Sequence, residues 1–95
     1  SAASDVYKRQ LHAFKRLRER NISKDDYKNS IFTGEIIEHY PQSARLPSCL
    51  ICGQSLKQMP LHNVTGYDEE YLYAVTAYYP EPDKWENDFK TRRVK

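Results

Sequence analysis

The sequence has few of the residues on which many enzyme sites depend. It contains only three glycines, and none lies in a glycine-rich loop of the kind that holds the phosphates of a nucleotide. No Ser-His-Asp set and no pair of catalytic carboxylates stands out either. We therefore expect no nucleotide-dependent chemistry, and the sequence predicts no cofactor.

Cysteine is also scarce, with only Cys49 and Cys52 in the chain. Their CxxC spacing lacks the second pair that a zinc site needs. If both lie on one strand, positions three apart point to opposite faces and cannot share a metal. A Cys2His2 set completed by His39 and His62 is the weaker alternative. We interpret the cysteines as small buried apolar residues and predict no metal.

The sequence has no long apolar run and no signal-peptide pattern, which favours a cytoplasmic protein without a membrane partner. Residues 1–10 read SAASDVYKRQ. This stretch resembles the translated adapter sequence that begins many gene predictions from assembled metagenomic reads. We therefore expect residues 1–10 to be a non-native leader and residues 11–95 to form a single domain.

Charge and aromatic residues are what the sequence does supply. The net charge of +2 is distributed unevenly: residues 1–30 carry +4, residues 31–83 carry −5 and residues 84–95 carry +3. Eight of the residues are tyrosine, whose ring packs while its hydroxyl stays available. If both ends fold onto one face, that face is basic and suits an anionic ligand. Basic ends also occur in proteins that bind no nucleic acid.

An amphipathic helix is predicted over about residues 8–20, from the pattern of the overlapping run LHAFKRLRERNIS at residues 11–23. Its apolar arc contains Leu11, Phe14 and Leu17, and the opposite arc displays His12, Arg16, Glu19 and Arg20. The plain alternative is a solvated charged face, as on most surface helices. The other interpretation is an imidazole presented beside two guanidinium groups.

The rest of the chain predicts one more helix, four strands and a short final helix. Ser23 and Asp26 form a capping-box-like start, and Gly34 is placed to end the helix in a left-handed conformation. This order predicts an α+β fold: two N-terminal helices packed on a four-stranded, mainly antiparallel sheet, with a short C-terminal helix. The predicted ranges are a helix over 24–33, strands Glu35–Tyr40, Ser48–Gly53, Met59–Tyr67 and Tyr71–Tyr79, and a helix Asp83–Lys90.

Histidine and arginine are the residues left to carry chemistry. RNA cleavage without a metal needs a base, an acid and cationic donors to the phosphate, and these two residue types supply all three. We predict His12, Arg16, Arg20 and His62 as catalytic residues, if His62 of the third strand meets the polar helix face. Arg18, Tyr79, Arg92 and Arg93 are the predicted substrate-binding residues. A lone strand histidine is otherwise more often structural.

Several of these residues occur in ordered motifs that resemble a known family. The opening matches H-A-x-x-R-x-x-E-R-x-I-S from His12, and the run Gly34–Glu38, the strand SCLICG and Pro60–His62 follow in order. The ending TAYYPEPDKW completes the set. This pattern is similar to the domain-of-unknown-function family DUF4258.

The resemblance implies a fold like that of the RelE/ParE-like toxin superfamily. It further implies a type II toxin–antitoxin module with a zinc-finger antitoxin of the MqsA/YgiT type as partner, and RNA or the ribosome as target. We therefore interpret the chain as a metal-independent endoribonuclease toxin, or mRNA interferase. The alternative is a non-catalytic interaction domain that binds an acidic protein partner or nucleic acid. A third interpretation is a domain with an exposed charged helix and no activity.

Overall fold

The computed structural model describes residues 10–12, 22–41, 47–69 and 71–94. Within these ranges five strands form one sheet, and one helix packs on it. The strands lie in the order β1-β5-β4-β3-β2, with β1 parallel to β5 and all other neighbours antiparallel. In chain order the elements are β1 (Gln10–His12), α1 (Lys24–Phe32), β2 (Glu35–Tyr40), β3 (Ser48–Gln54), β4 (Pro60–Tyr67) and β5 (Tyr71–Tyr78).

Helix α1 begins where the sequence predicts it. Ser23 is the N-cap, and its hydroxyl oxygen accepts from the backbone N–H of Asp26 at 3.0 Å. Asp25 and Asp26 place negative charge at the positive end of the helix. Tyr27 and Ile31 lie one turn apart on the inner face, and both are fully buried. The prediction of this second helix is therefore confirmed.

Gly34 follows the helix, but the left-handed conformation predicted for it is wrong. None of the glycines in the described ranges has a positive φ. A Cβ atom at Gly34 would instead overlap the Ser30 carbonyl and lie 2.9 Å from the carbonyl oxygen of Cys52. A Cβ at Gly53 would overlap the same Ser30 backbone. Glycine is required at both positions because α1 approaches β3 too closely for a side chain.

The apolar core lies between α1 and the sheet. A hydrogen-bonded network of fully buried polar groups crosses it. The Asn63 amide donates to Ser30 Oγ at 2.8 Å, and Thr65 Oγ1 donates to Asn63 Oδ1 at 2.7 Å. The Tyr27 hydroxyl lies 2.5 Å from Thr65 Oγ1. Each group thus has a partner that offsets its loss of water. The core residues are Ile22, Tyr27, Ile31, Cys49, Ile51, Leu61, Ala74 and Ala77.

The C-terminal segment does not form the short helix predicted over Asp83–Lys90. Residues 84–93 form a hairpin, here called the C-terminal hairpin, in which Trp85 bridges Arg92 in antiparallel fashion. The Asp88 carboxylate accepts from the two backbone N–H groups at positions 90 and 91. Such side chain–backbone hydrogen bonds compete with helical ones, and here they favour the turn.

The predicted fold class is therefore wrong in its helices. The described residues contain one helix in place of two N-terminal helices and a C-terminal one, and they add a parallel edge strand. That strand, β1, occupies positions within the first half of the first predicted helix; residues 8–9 and 13–20 of that helix lie outside the described residues. Leu11 pairs with Leu72 of β5, and such tertiary pairing overrides a local helical pattern. The four antiparallel strands lie close to their predicted ranges.

The two faces of the sheet have different neighbours because successive residues of a strand point to opposite sides. Asn63 of β4 points towards α1 and contacts Ser30. His62, the residue before it, points to the other side and contacts Trp85. We call these sides the helix face and the hairpin face.

Candidate functional site

His62 is the buried polar centre of the hairpin face. Its side chain is fully buried. Nε2 lies 2.6 Å from the carbonyl oxygen of Phe89, and Nδ1 lies 3.2 Å from the Tyr78 hydroxyl. Because a carbonyl can only accept, Nε2 carries the proton of the neutral ring and Nδ1 can accept from Tyr78. Burial lowers the pKa of His62, so the neutral form is favoured.

Trp85 covers this imidazole from the C-terminal hairpin. Its indole is almost completely buried and packs edge-on against the His62 ring, with ring centroids 4.5 Å apart. Phe89, whose carbonyl contacts His62, has a φ of 57°, in the left-handed region that a bulky residue rarely adopts. The hairpin thus reaches His62 through one apolar contact and one hydrogen bond.

An ion pair joins the hairpin to β2 beside this cluster. Arg92 Nε and Nη2 donate to the two carboxylate oxygens of Glu38 at 2.7 and 3.0 Å. The same guanidinium lies over the Trp85 ring, 4.7 Å from its centroid. The Arg92 hydrogen bonds hold the pKa of the Glu38 carboxyl below its usual range. The Tyr40 hydroxyl also donates to this carboxylate. The pKa of Tyr40 is raised to about 12, mainly because its side chain is partly buried.

A cavity of about 500 Å³ opens beside the ion pair. Tyr79, which is 46% exposed, presents a ring at its edge, and Arg92 and Lys84 supply positive charge. Lys84 pairs with Glu81 at 3.4 Å in an exposed contact. Aromatic rings next to cationic side chains suit a ligand with a planar ring and a phosphate. The lining residues are Ile22, Tyr78, Tyr79, Glu81, Lys84, Trp85 and Arg92.

The structure brings two of the predicted substrate-binding residues together. Tyr79 and Arg92 both line the cavity. Arg93 is held within its own segment, because its Nε donates to the Pro82 carbonyl at 2.7 Å and its Nη1 pairs with Glu86 at 3.2 Å. It is not among the cavity residues.

The predicted catalytic residues are not seen to converge. His62 contacts Trp85 in the cavity wall, but its ring is fully buried and is not exposed to a substrate in the cavity. This placement argues against a catalytic role for His62. His12 lies in β1, where it pairs in register with Tyr73 of β5. The predicted meeting of His62 with the polar helix face of His12, Arg16 and Arg20 stays a prediction, because Arg16, Arg18 and Arg20 lie outside the described ranges.

Sequence reasoning missed Tyr78, Glu38 and Tyr40 as members of the cluster. Tyr78 pairs with His62 in the register of β4 and β5, so the two-residue period of β5 could have distinguished it from Tyr79. The face on which Glu38 lies is harder to predict from the alternation of residues along β2, because the β2–β3 register shifts between Ile36 and Glu38. Its partner Arg92 also lies 54 positions further along the chain.

The two cysteines lie on opposite faces, as their spacing on a strand predicts. Cys49 belongs to the core of the helix face and pairs with Thr65, whereas Cys52 pairs with His62. Burial raises the pKa of the Cys49 thiol to about 11 and also raises that of Cys52. Neither thiol is therefore activated as a nucleophile. Within the described ranges, no group of three or more His, Cys, Asp or Glu side chains could hold a metal ion.

Comparison with known proteins gives one match. No curated protein and no solved structure matches the chain. Among the residues that the structure describes, no helix is long and apolar enough to cross a bilayer. One family, described as "Domain of unknown function (DUF4258)", matches residues 10–79, so the motifs from Pro80 to Trp85 lie beyond the match. Since the match spans most of the chain, the protein belongs to the DUF4258 family.

Proposed function

We propose that this protein is the toxin of a type II toxin–antitoxin module and that it binds single-stranded RNA in the cavity beside Trp85. The observation that supports the proposal is the grouping of an exposed tyrosine, Tyr79, with Arg92 and Lys84 around one cavity. An exposed phenol ring stacks on a base, and cationic side chains hold phosphate oxygens. Because Glu38 and Glu81 already pair with the two cations, stacking supplies most of the affinity.

The chemistry that we propose is metal-independent cleavage of the bound RNA. His12 is then the imidazole that exchanges a proton with the ribose, and Arg16 and Arg20 stabilise the charge on phosphate. His62 acts as a structural residue that holds the C-terminal hairpin, since both of its ring nitrogens are occupied. The resemblance in the motifs is the reason for including a RelE-like fold and mRNA interferase activity in the proposal.

The partners in this proposal are a zinc-finger antitoxin of the MqsA/YgiT type and RNA, either free or on the ribosome, in the cytoplasm. The support for these partners is the resemblance of the motifs at His12, Pro60–His62 and Tyr79, since the matching family is one of unknown function. Expression of the chain is expected to arrest growth. Coexpression of an antitoxin encoded by a neighbouring gene is expected to restore it.

RNA binding is tested with a pair of exposed aromatic residues. Tyr79→Ala removes the stacking ring at the cavity, whereas Phe32→Ala removes an exposed ring on α1 that does not line it. Loss of one stacked base costs about 1–3 kcal/mol, or roughly fivefold to a hundredfold in Kd. We expect this loss for Tyr79→Ala alone, measured by fluorescence anisotropy with a labelled oligouridylate. Equal affinity of both variants and the wild type would refute binding in this cavity.

Cleavage is tested separately with the purified protein in EDTA, with and without ribosomes. We expect RNA degradation by the wild type and by His39→Ala, which changes an exposed histidine of β2. His12→Ala is expected to lower the rate by roughly a hundredfold, as for loss of a general acid or base. Retained RNA binding in His12→Ala shows that the variant is folded. Equal rates in both variants would remove His12 from the chemistry.

The second candidate is an interaction domain that binds without cleavage. The complete burial of His62 favours it, because one of the two predicted catalytic imidazoles is inaccessible. It predicts RNA or acidic-partner binding that depends on Tyr79 and Arg92, with no degradation in either condition. Growth arrest, if present, then survives His12→Ala.

A further inference from the structure

The ion pair between Glu38 and Arg92 has the geometry that a bound phosphate would use. Two parallel N–H groups of the guanidinium meet the two oxygens of one carboxylate, at 2.7 and 3.0 Å. Arginine recognises phosphate through the same two-pronged contact. Tyr40 adds a third donor to this carboxylate. The carboxylate thus occupies a small site made of a guanidinium and a phenol.

Arg92 is also the cation that faces the proposed RNA site. Its side chain is 61% exposed, it lines the cavity, and its guanidinium is supported from below by the Trp85 ring. Glu38 is the less exposed partner, at 26%, and belongs to β2 of the sheet. An anion entering the cavity therefore meets a guanidinium whose two best-placed donors are already engaged.

We infer that Glu38 is an internal competitor for Arg92, holding the position that a phosphate group of RNA takes when it binds in the cavity. The inference rests on the proposed function. Binding then requires Arg92 to exchange the carboxylate for the phosphate, which lowers affinity for any anion that cannot also stack on Tyr79. The Glu38 carboxylate thereby selects a nucleotide over a simple anion.

The structure provides a matched control on the same two elements. Glu35 of β2 pairs with Lys90 of the C-terminal hairpin, so it joins the same strand to the same hairpin. Lys90 lines a different cavity, with Cys52, Gly53 and Asp88 among its neighbours. Glu35→Ala and Glu38→Ala therefore remove the same charge and the same kind of contact. Only Glu38→Ala frees a guanidinium at the RNA site.

The experiment measures the Kd of a labelled oligouridylate for full-length variants, with thermal melting as a check of folding. Release of Arg92 from an exposed pair is expected to tighten binding by roughly twofold to fivefold in Glu38→Ala. Glu35→Ala is expected to match the wild type. Arg92→Gln is expected to bind more weakly and to reduce the slope of log K against log salt by about 0.7. In the double variant Glu38→Ala with Arg92→Gln the gain is expected to disappear.

If Glu38→Ala binds no more tightly than Glu35→Ala, the inference is overturned. The proposed RNA site still stands in that case, provided that Tyr79→Ala and Arg92→Gln weaken binding. If neither of these variants differs from the wild type, the RNA site itself is refuted. Should Glu38→Ala fail to fold, Glu38→Gln keeps the size of the side chain and loses its charge, and the same direction is expected. Inorganic phosphate as a competitor should then displace RNA more effectively from Glu38→Gln than from the wild type.

Discussion

On the helix face, neutral polar groups are buried among apolar side chains, whereas on the hairpin face charged side chains near the surface hold a segment against the sheet. Burial raises the pKa of Tyr27, so the side chains of the Tyr27–Thr65–Asn63 network are neutral at neutral pH. The hairpin is instead held by the contacts of Trp85 and Phe89 with His62 and by two ion pairs near the surface. Since exposed charges are screened and histidine titrates near neutrality, only the hairpin face should respond to salt and mild acid.

The helix face contains the core of the domain, whereas the hairpin face forms the cavity. Helix α1 lies close against β3, with no room for a Cβ at Gly53. The C-terminal hairpin contributes Lys84, Trp85 and Arg92 to the cavity. Elements held by few buried contacts open with the smallest free energies, and binding sites are often built from them. Four predictions test this difference.

Loss of Trp85 should have the largest effect. Trp85→Ala removes the buried anchor of the hairpin and should lower the free energy of unfolding by about 3–5 kcal/mol, as for other buried tryptophans. Hydrogen exchange measures the loss as a lower free energy of opening, and the loss should be larger in residues 84–93 than in β3 and β4. Uniform loss of protection across β3 and β4 would show that the two faces unfold as one unit.

Loss of the Tyr27 hydroxyl should have the next largest effect. Tyr27→Phe leaves Thr65 and the Val64 carbonyl without this donor, at 2.5 and 3.0 Å from the missing oxygen. An unmade hydrogen bond in the core costs about 1–3 kcal/mol. Tyr79→Phe removes an exposed hydroxyl and should change stability by less than about 0.5 kcal/mol. If both variants lost the same stability, the buried network would contribute nothing specific.

Mild acid should destabilise the protein through His62. In the unfolded chain this imidazole has its ordinary pKa of about 6.5, and burial lowers the pKa in the folded state. Its contribution is therefore fully present above about pH 6.5 and is lost as the pH falls below that value, because the unfolded chain binds the proton more readily.

The measurement is denaturation of the wild type and of His62→Gln between about pH 5.5 and 7.5. The wild type should lose stability towards the acidic end of this range. His62→Gln should show a smaller loss over the same range. An identical pH slope in both proteins would contradict the assignment to His62.

Removal of the outer ion pair should have the smallest effect. Lys90→Gln breaks the contact with Glu35, in which both side chains are about half exposed, and should cost about 0.2–1 kcal/mol at low salt. The difference from the wild type should shrink as salt is added. The cost of Tyr27→Phe should stay constant in the same titration. A salt-independent cost for Lys90→Gln would mean that the side chain stabilises by packing rather than by charge.

Local signals in the sequence account for most of the fold. Ser23 and Asp26 mark the start of α1, and the β-rich runs mark the four antiparallel strands, because capping and strand patterns act between near neighbours. The same reasoning gives the wrong element at Gln10–His12 and at Asp83–Lys90. In the first case a pairing partner lies in β5, and in the second a side chain competes for the backbone.

Fewer residues of the candidate site could be predicted from local sequence patterns. Tyr79 and Arg92 were predicted to bind substrate and do line one cavity. His62 was predicted to be catalytic, but Trp85 and the Phe89 carbonyl contact its ring, and no local pattern indicated these contacts. The partner of Arg92, Glu38, could not be found by spacing, since 54 positions separate them and a register shift lies beside Glu38.

The sequence by itself determined the family, the helix α1, the four antiparallel strands and the opposite placement of Cys49 and Cys52, because each depends on motifs or on periods of a few residues. Only the tertiary structure decided that a C-terminal hairpin covers His62 and that Glu38 pairs with Arg92 at the cavity. The physical reason is that these contacts join distant parts of the chain. Their free energy comes from burial and charge pairing, which no local pattern encodes.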